Sequence, residues 1–217
     1  MISLDDLDAA ERFAKLSWTI APRPIAWVTS QDRAGTNNLA PFSFFTIACT
    51  DPLVLMLAIE PRPDGDSKDT LRNICARRQF VVHLVQADRV NEVAFTGRQS
   101  DPDFDELAAL DLRTSPALKV QPPVVDGCIA VFECELETTC SFGRETLVFG
   151  RVVTSRIAAH LLTESGRITP RAVDPLGRIG TTFSRSTLLA EQTVNQALAA
   201  RAGPTPAKAR TRAGAAR

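Results

Sequence analysis

The sequence predicts a mainly-β protein, a barrel or sandwich with a few helices added. Strand-like runs fill the first two-thirds of the chain. The clearest, Cys128–Cys140, places Ala130, Phe132, Cys134 and Leu136 on one face and Val131, Glu133, Glu135 and Glu137 on the other. That is period two, with one face expected buried and one wet. No regular β-α alternation follows, which argues against a doubly wound parallel sheet.

The elements follow in order. Pro24–Ser30 is apolar and β-branched, and Asp32-Arg33-Ala34-Gly35 ends it as a turn. Asn38–Cys49 is a second run, suited to antiparallel pairing with the first. Leu53–Glu60 is nearly all apolar and is expected to be buried on both faces. Ser67–Arg78 reads as a helix with Ser67 as its cap and Asp69 in its first turn. Phe80–Val85 is a further strand, and Ala87–Phe95 and Phe104–Leu110 are short helices. Thr146–Ile157 pairs back on Cys128–Cys140 across a turn at Ser141-Phe142-Gly143. Ser186–Ala202 has helical composition, and residues 201–217 read as a disordered basic tail on a domain spanning 1–200.

Composition narrows the function. The chain has 217 residues, 44% hydrophobic and 23% charged, and a formal net charge of zero. Five of the 25 basic residues lie in 201–217, which leaves 20 against 25 acids and about −5 on residues 1–200. An acidic body is a poor match for nucleic acid. No apolar run approaches the ~20 residues of a membrane span. The opening MISLDDLDAAERF lacks the features of a signal peptide, so a cytoplasmic location is expected.

The five cysteines, Cys49, Cys75, Cys128, Cys134 and Cys140, form no C-x-x-C and read as buried core thiols. The only histidines are His83 and His160, too few for a three-histidine metal centre. His83, inside FVVHLV, reads as a hydrogen-bonded structural residue. The fingerprints G-x-G-x-x-G, Walker A, G-x-S-x-G and H-E-x-x-H are absent. No catalytic side chain and no metal site are assigned. An enzyme so equipped borrows its chemistry from a cofactor.

Three stretches suit such a role. In Arg23-Pro24-Ile25-Ala26-Trp27-Val28-Thr29-Ser30, a proline-stiffened arginine leads into a strand that ends in two hydroxyls able to meet a phosphate or ribityl chain. In Asn38-Leu39-Ala40-Pro41-Phe42-Ser43-Phe44-Phe45, a proline within a strand marks an edge or bulge, where free main-chain groups suit the pyrimidine rim of a flavin. In Ser67-Lys68-Asp69-Thr70-Leu71-Arg72-Asn73, a lysine and two hydroxyls stand at a helix start, which favours phosphate. Each alone also has an ordinary reading, as strand end, core filling or capped helix.

Together, in this order, RPIAWVTS, NLAPFSFF with Thr50-Asp51-Pro52, and SKDTLRN leading to FVVHLV resemble the flavin reductase-like family, in its longer flavoredoxin-like branch. Pro175-Leu176-Gly177-Arg178-Ile179-Gly180 is a further match, and the resemblance spans about residues 10–185. It implies a six-stranded Greek-key split β-barrel, the FMN-binding split barrel, with a few peripheral helices, and a homodimer with FMN near the subunit interface. By position it implies Thr29 and Ser30 near the ribityl-phosphate and Asn38, Ala40, Pro41 and Ser43 along the isoalloxazine. Ser67, Lys68, Thr70 and Asn73 are implied at the phosphate, with Arg23 and Arg178 as further contacts.

The implied activity is that of an FMN-binding oxidoreductase taking electrons from NADH or NADPH and passing them to free flavin, a monooxygenase partner or another acceptor. The alternative is an FMN carrier or storage protein without fast turnover. Gly143-Arg144-Glu145 stands where shorter members carry a Gly-Asp-His turn associated with the nicotinamide side.

Overall fold

The computed structural model describes residues 3–101 and 104–186. The predicted helix at 186–202, apart from Ser186, and the basic tail therefore lie outside the described residues. The main sheet is antiparallel and contains β2 (Ala26–Gln31), β3 (Asn37–Phe42), β4 (Phe45–Thr50), β5 (Leu53–Ile59), β6 (Gln79–Leu84), β9 (Ala130–Phe142) and β10 (Glu145–Ile157). Their order across the sheet is β3-β2-β6-β9-β10-β5-β4. A small sheet joins β1 (Arg23–Pro24), β11 (Leu176–Ile179) and β12 (Thr182–Arg185), and β7 (Thr114–Ser115) pairs with β8 (Val124–Val125). The helices are α1 (Ala9–Thr19), α2 (Asp69–Arg77), α3 (Val90–Thr96) and α4 (Glu106–Ala109).

The mainly-β expectation holds, with a seven-stranded main sheet in place of six strands. The extra strand arises because the run 38–49 breaks at Ser43-Phe44 into β3 and β4. These two strands are opposite edges of the sheet. Two residues cannot bridge a flat seven-stranded sheet at ~4.8 Å per strand. The sheet therefore curls until its edges meet, as a barrel does. The Ala58 N–H donates to the Phe44 carbonyl at 2.8 Å, tying the corner to β5.

Inside the curl lie Val28, Leu57, Ile59, Ile74, Phe80, Val82, Cys134 and Val148, each essentially without exposure. A second cluster of Ile25, Trp27, Leu39, Val85, Val93 and Leu107 packs α3 and α4 onto the other side of β2 and β3. The Trp27 indole N–H donates to the Thr96 hydroxyl at 2.8 Å, which anchors the end of α3. The helix α1, to which no element was assigned from sequence, opens with a reciprocal capping box between Asp8 and Glu11.

Two expectations need correction. Glu133 was expected on the wet face of its strand, yet it has no exposure. The segment before β8 folds over that face. The Glu133 carboxylate accepts the Leu118 N–H at 2.9 Å and the Lys119 N–H at 2.6 Å, and pairs with Arg156 at 2.9 Å. The cysteines were expected in the core, and only Cys134 is fully buried there. Cys140 is exposed because β9 outruns the core from Glu137 onward, and Cys75 is exposed on α2. His83 is structural as expected, with Nδ1 donating to the Trp27 carbonyl at 2.8 Å and Nε2 accepting the Val125 N–H at 3.0 Å.

Candidate functional site

A cleft of about 150 Å³ opens between the edge of β3, the start of α2 and the 96–100 loop. The open edge of β3 forms one wall through Asn38, Ala40 and Pro41. Pro41 has no N–H, which suits an edge position.

The α2 wall differs slightly from expectation. The helix starts at Asp69, so Lys68 rather than Ser67 is the cap residue, and no side chain caps the first turn. Its N–H groups keep their partial positive charge for another acceptor. Asp69 stands in that turn, but its carboxylate is held between Arg62 and Arg72. Lys68 Nζ lies 3.4 Å from Glu60 Oε1 and 5.9 Å from the centre of the Phe42 ring.

Behind the cleft, one buried network joins three elements. Asn38 Nδ2 donates to Ser30 Oγ at 3.2 Å and to Thr70 Oγ1 at 2.9 Å. Asn73 Nδ2 donates to Ser30 Oγ at 3.2 Å. The structure thus brings together Ser30, Asn38, Thr70 and Asn73, with Ala40, Pro41 and Lys68 beside them.

The other sequence-selected residues lie apart from this cleft. Thr29 is fully buried, and its hydroxyl donates to the Pro123 carbonyl at 2.7 Å. Adjacent residues of a strand face opposite ways, so Thr29 and Ser30 do not reach one ligand together. Arg23 is buried, donating to the carbonyls of Ser17 and Gly180, and its Nε lies 3.4 Å from Ser43 Oγ. Burial, then the charge of Arg178, lowers the Arg23 pKa. Arg178, its cross-strand partner, stacks 4.5 Å over the Phe183 ring. Ser67 is exposed outside the cleft, and its carbonyl accepts from Arg72.

The sequence reading missed Arg62, Arg98, Ser100 and Glu106, which also line the cleft. The signal available was slight: Gly97-Arg98-Gln99-Ser100, a glycine-led cationic turn after a short helix. Among the described residues no group of three or more His, Cys, Asp or Glu is arranged to hold a metal ion. No described helix is long and apolar enough to cross a membrane.

A curled antiparallel sheet with a cleft beside one of its edge strands is the split-barrel architecture. The chain belongs to the flavin reductase-like family: the flavin reductase like domain matches residues 19–176. A protein of Deinococcus radiodurans is 34% identical over 183 residues, 82% of this chain and 81% of that one. Nitrilotriacetate monooxygenase component B from Bacillus cereus superposes with a TM-score of 0.82 at 27% identity, covering 88% of this chain and 97% of that one. The 2-nitrobenzoate 2-nitroreductase NbaA of Pseudomonas fluorescens has a TM-score of 0.78 at 27% identity, covering 88% and 93%.

Proposed function

We propose that this protein is an FMN-binding oxidoreductase, reduced by NADH or NADPH, that passes electrons to a second acceptor. One observation carries the reading: β3, α2 and Lys68 meet at a single cleft with the Ser30–Asn38–Thr70–Asn73 network behind it. The donor set fits FMN. Lys68, Arg62 and the uncapped start of α2 would hold the phosphate. Thr70 would add a hydroxyl donor, since its oxygen already accepts from Asn38. The β3 edge at Asn38, Ala40 and Pro41 would seat the pyrimidine rim of the ring, partly through main chain. Ser30 and Asn73 would act through Asn38 and Thr70. Arg23, Thr29, Ser43, Ser67 and Arg178 would have supporting roles in the fold rather than contacts in this cleft.

FMN bound here supplies two-electron hydride chemistry. The residues bind and orient it, and no protein acid or base is needed for reduction. The acceptor is a partner monooxygenase or a small organic molecule, in keeping with what the two solved relatives are named for. A homodimer accords with the exposed Trp18, Ile20 and Ile47.

The test is the visible spectrum and FMN titration of the purified protein, followed by NAD(P)H oxidation. Oxidised-flavin bands should survive desalting, and Lys68→Ala should weaken FMN binding by about tenfold or more. Absence of flavin binding would overturn the reading. Tight FMN with NAD(P)H turnover no faster than free flavin would leave the carrier alternative.

A further inference from the structure

Glu106 has no part in the flavin reading, yet it lines the same cleft and is only 4% exposed. Its Oε2 accepts the Leu39 N–H on the open edge of β3 at 2.9 Å. Its Oε1 accepts the Ser100 hydroxyl at 3.1 Å. The adjacent Asp105 holds the same edge through Asn37 Nδ2 at 3.2 Å. One buried carboxylate therefore joins the strand edge to the loop on the far side of the cleft.

Among the described residues no lysine or arginine forms an ion pair with Glu106. The charged groups around it are Arg62, Lys68, Asp69 and Arg98 along the cleft, Asp105 beside it, and Asp101 in an adjoining hollow. Burial raises its pKa above the ordinary glutamate range, the Leu39 and Ser100 bonds oppose this, and the charge of Asp105 adds to it. A buried carboxylate without a counter-ion is costly, and in the wall of a binding cleft it suggests function.

The geometry points to Glu106 as a positioning residue: its carboxylate holds the β3 edge to the 96–100 loop and sets the hydrogen-bond polarity that Ser100 presents to the ligand. This rests on the flavin reading of the cleft. When Glu106 is ionised, both partners donate to it, and Ser100 is left as an acceptor for the ligand. When Glu106 is protonated, its O–H needs an acceptor, and Ser100 Oγ is within reach. The Ser100 proton then turns away from Glu106 and toward the cleft. Bonds to a charged acceptor are the stronger, so the ionised form makes the firmer clasp and the better site.

The experiment is riboflavin binding by fluorescence quenching across pH, in wild type and Glu106→Gln. Riboflavin lacks the phosphate, whose own titration would obscure the result. Wild-type affinity should fall by about 2- to 10-fold as pH drops through the Glu106 midpoint, the range of one exchanged hydrogen bond. Glu106→Gln should stay at the weak value at every pH. Superimposable profiles, or a variant as tight as wild type at high pH, would overturn the proposal. If Glu106→Gln does not fold, Ser100→Ala decides: it should flatten the pH dependence, and a full-sized dependence would overturn the role given to Ser100. Failure of wild type to bind riboflavin or FMN at any pH is a different result and overturns the flavin reading itself.

Discussion

Lowering the pH from 6.5 toward 4 should remove about 3 kcal/mol of folding stability through His83 alone. The ring is fully buried in β6 between Trp27 and Val125. A carbonyl only accepts and an amide N–H only donates, so these partners assign the proton to Nδ1 and leave Nε2 bare. A second proton on Nε2 would face the Val125 N–H. Burial holds the pKa down to about 4 from its ordinary 6.5, and the charges of Arg89 and Arg156 add to this against the Trp27 bond. As pH falls, the unfolded chain takes up the proton first. The contribution is therefore complete above about 6.5 and is lost as pH falls toward 4.

His83→Ala should cost about 4 kcal/mol at neutral pH, because it opens a cavity and orphans two backbone groups. It should also flatten this part of the pH profile. Urea denaturation of both proteins across the window measures each effect. A wild-type-minus-variant difference that does not change with pH would refute the assigned protonation state.

Gly150→Val should destabilise the fold by about 3 kcal/mol or more. Gly150 lies in β10, opposite Leu55 of β5 and beside the bulge against β9. A Cβ there would lie 2.2 Å from Phe80 Cζ and 3.1 Å from Cys134 Cβ. Phe80 has no exposure, so its ring has no solvent side into which to retreat. The missing side chain at 150 is the space that ring occupies. The overlap also predicts a sign of coupling. In Gly150→Ala combined with Phe80→Leu, the loss should be smaller than the sum of the single losses by about 1 kcal/mol. Additive losses in thermal or urea melts would mean that the two positions do not share this space.

Much of the fold is legible in sequence because burial on one face of a strand writes period two into the chain. Ala130 to Leu136 carries it, while β5 and β6 are marked as strands by short, nearly continuous apolar runs. The same rule misread Glu133, since a period assigns faces without saying what covers them. The loop that donates to Glu133 from Leu118 and Lys119 leaves no trace in the strand's own pattern. Part of the candidate site was legible too, because a lysine at a helix start and a proline at a strand edge have local meanings. Arg62 and the 96–100 loop were not, since they reach the cleft through packing rather than through any local pattern.

By itself the sequence determined most of the strand runs and the resemblance that identifies the family. The strands follow from periodicity, which acts over a few residues, and the family from the resemblance that RPIAWVTS, NLAPFSFF and SKDTLRN carry. Only the tertiary structure decided that β3 and β4 are opposite edges of one curled sheet. It also decided that Ser30 turns toward Asn38 and Asn73 while Thr29 turns toward Pro123, and that Glu106 closes on the N–H of Leu39. The reason is physical: a strand's alternation sets two faces but not which neighbour each one meets. That choice belongs to contacts between segments far apart in the chain, made only when the sheet closes.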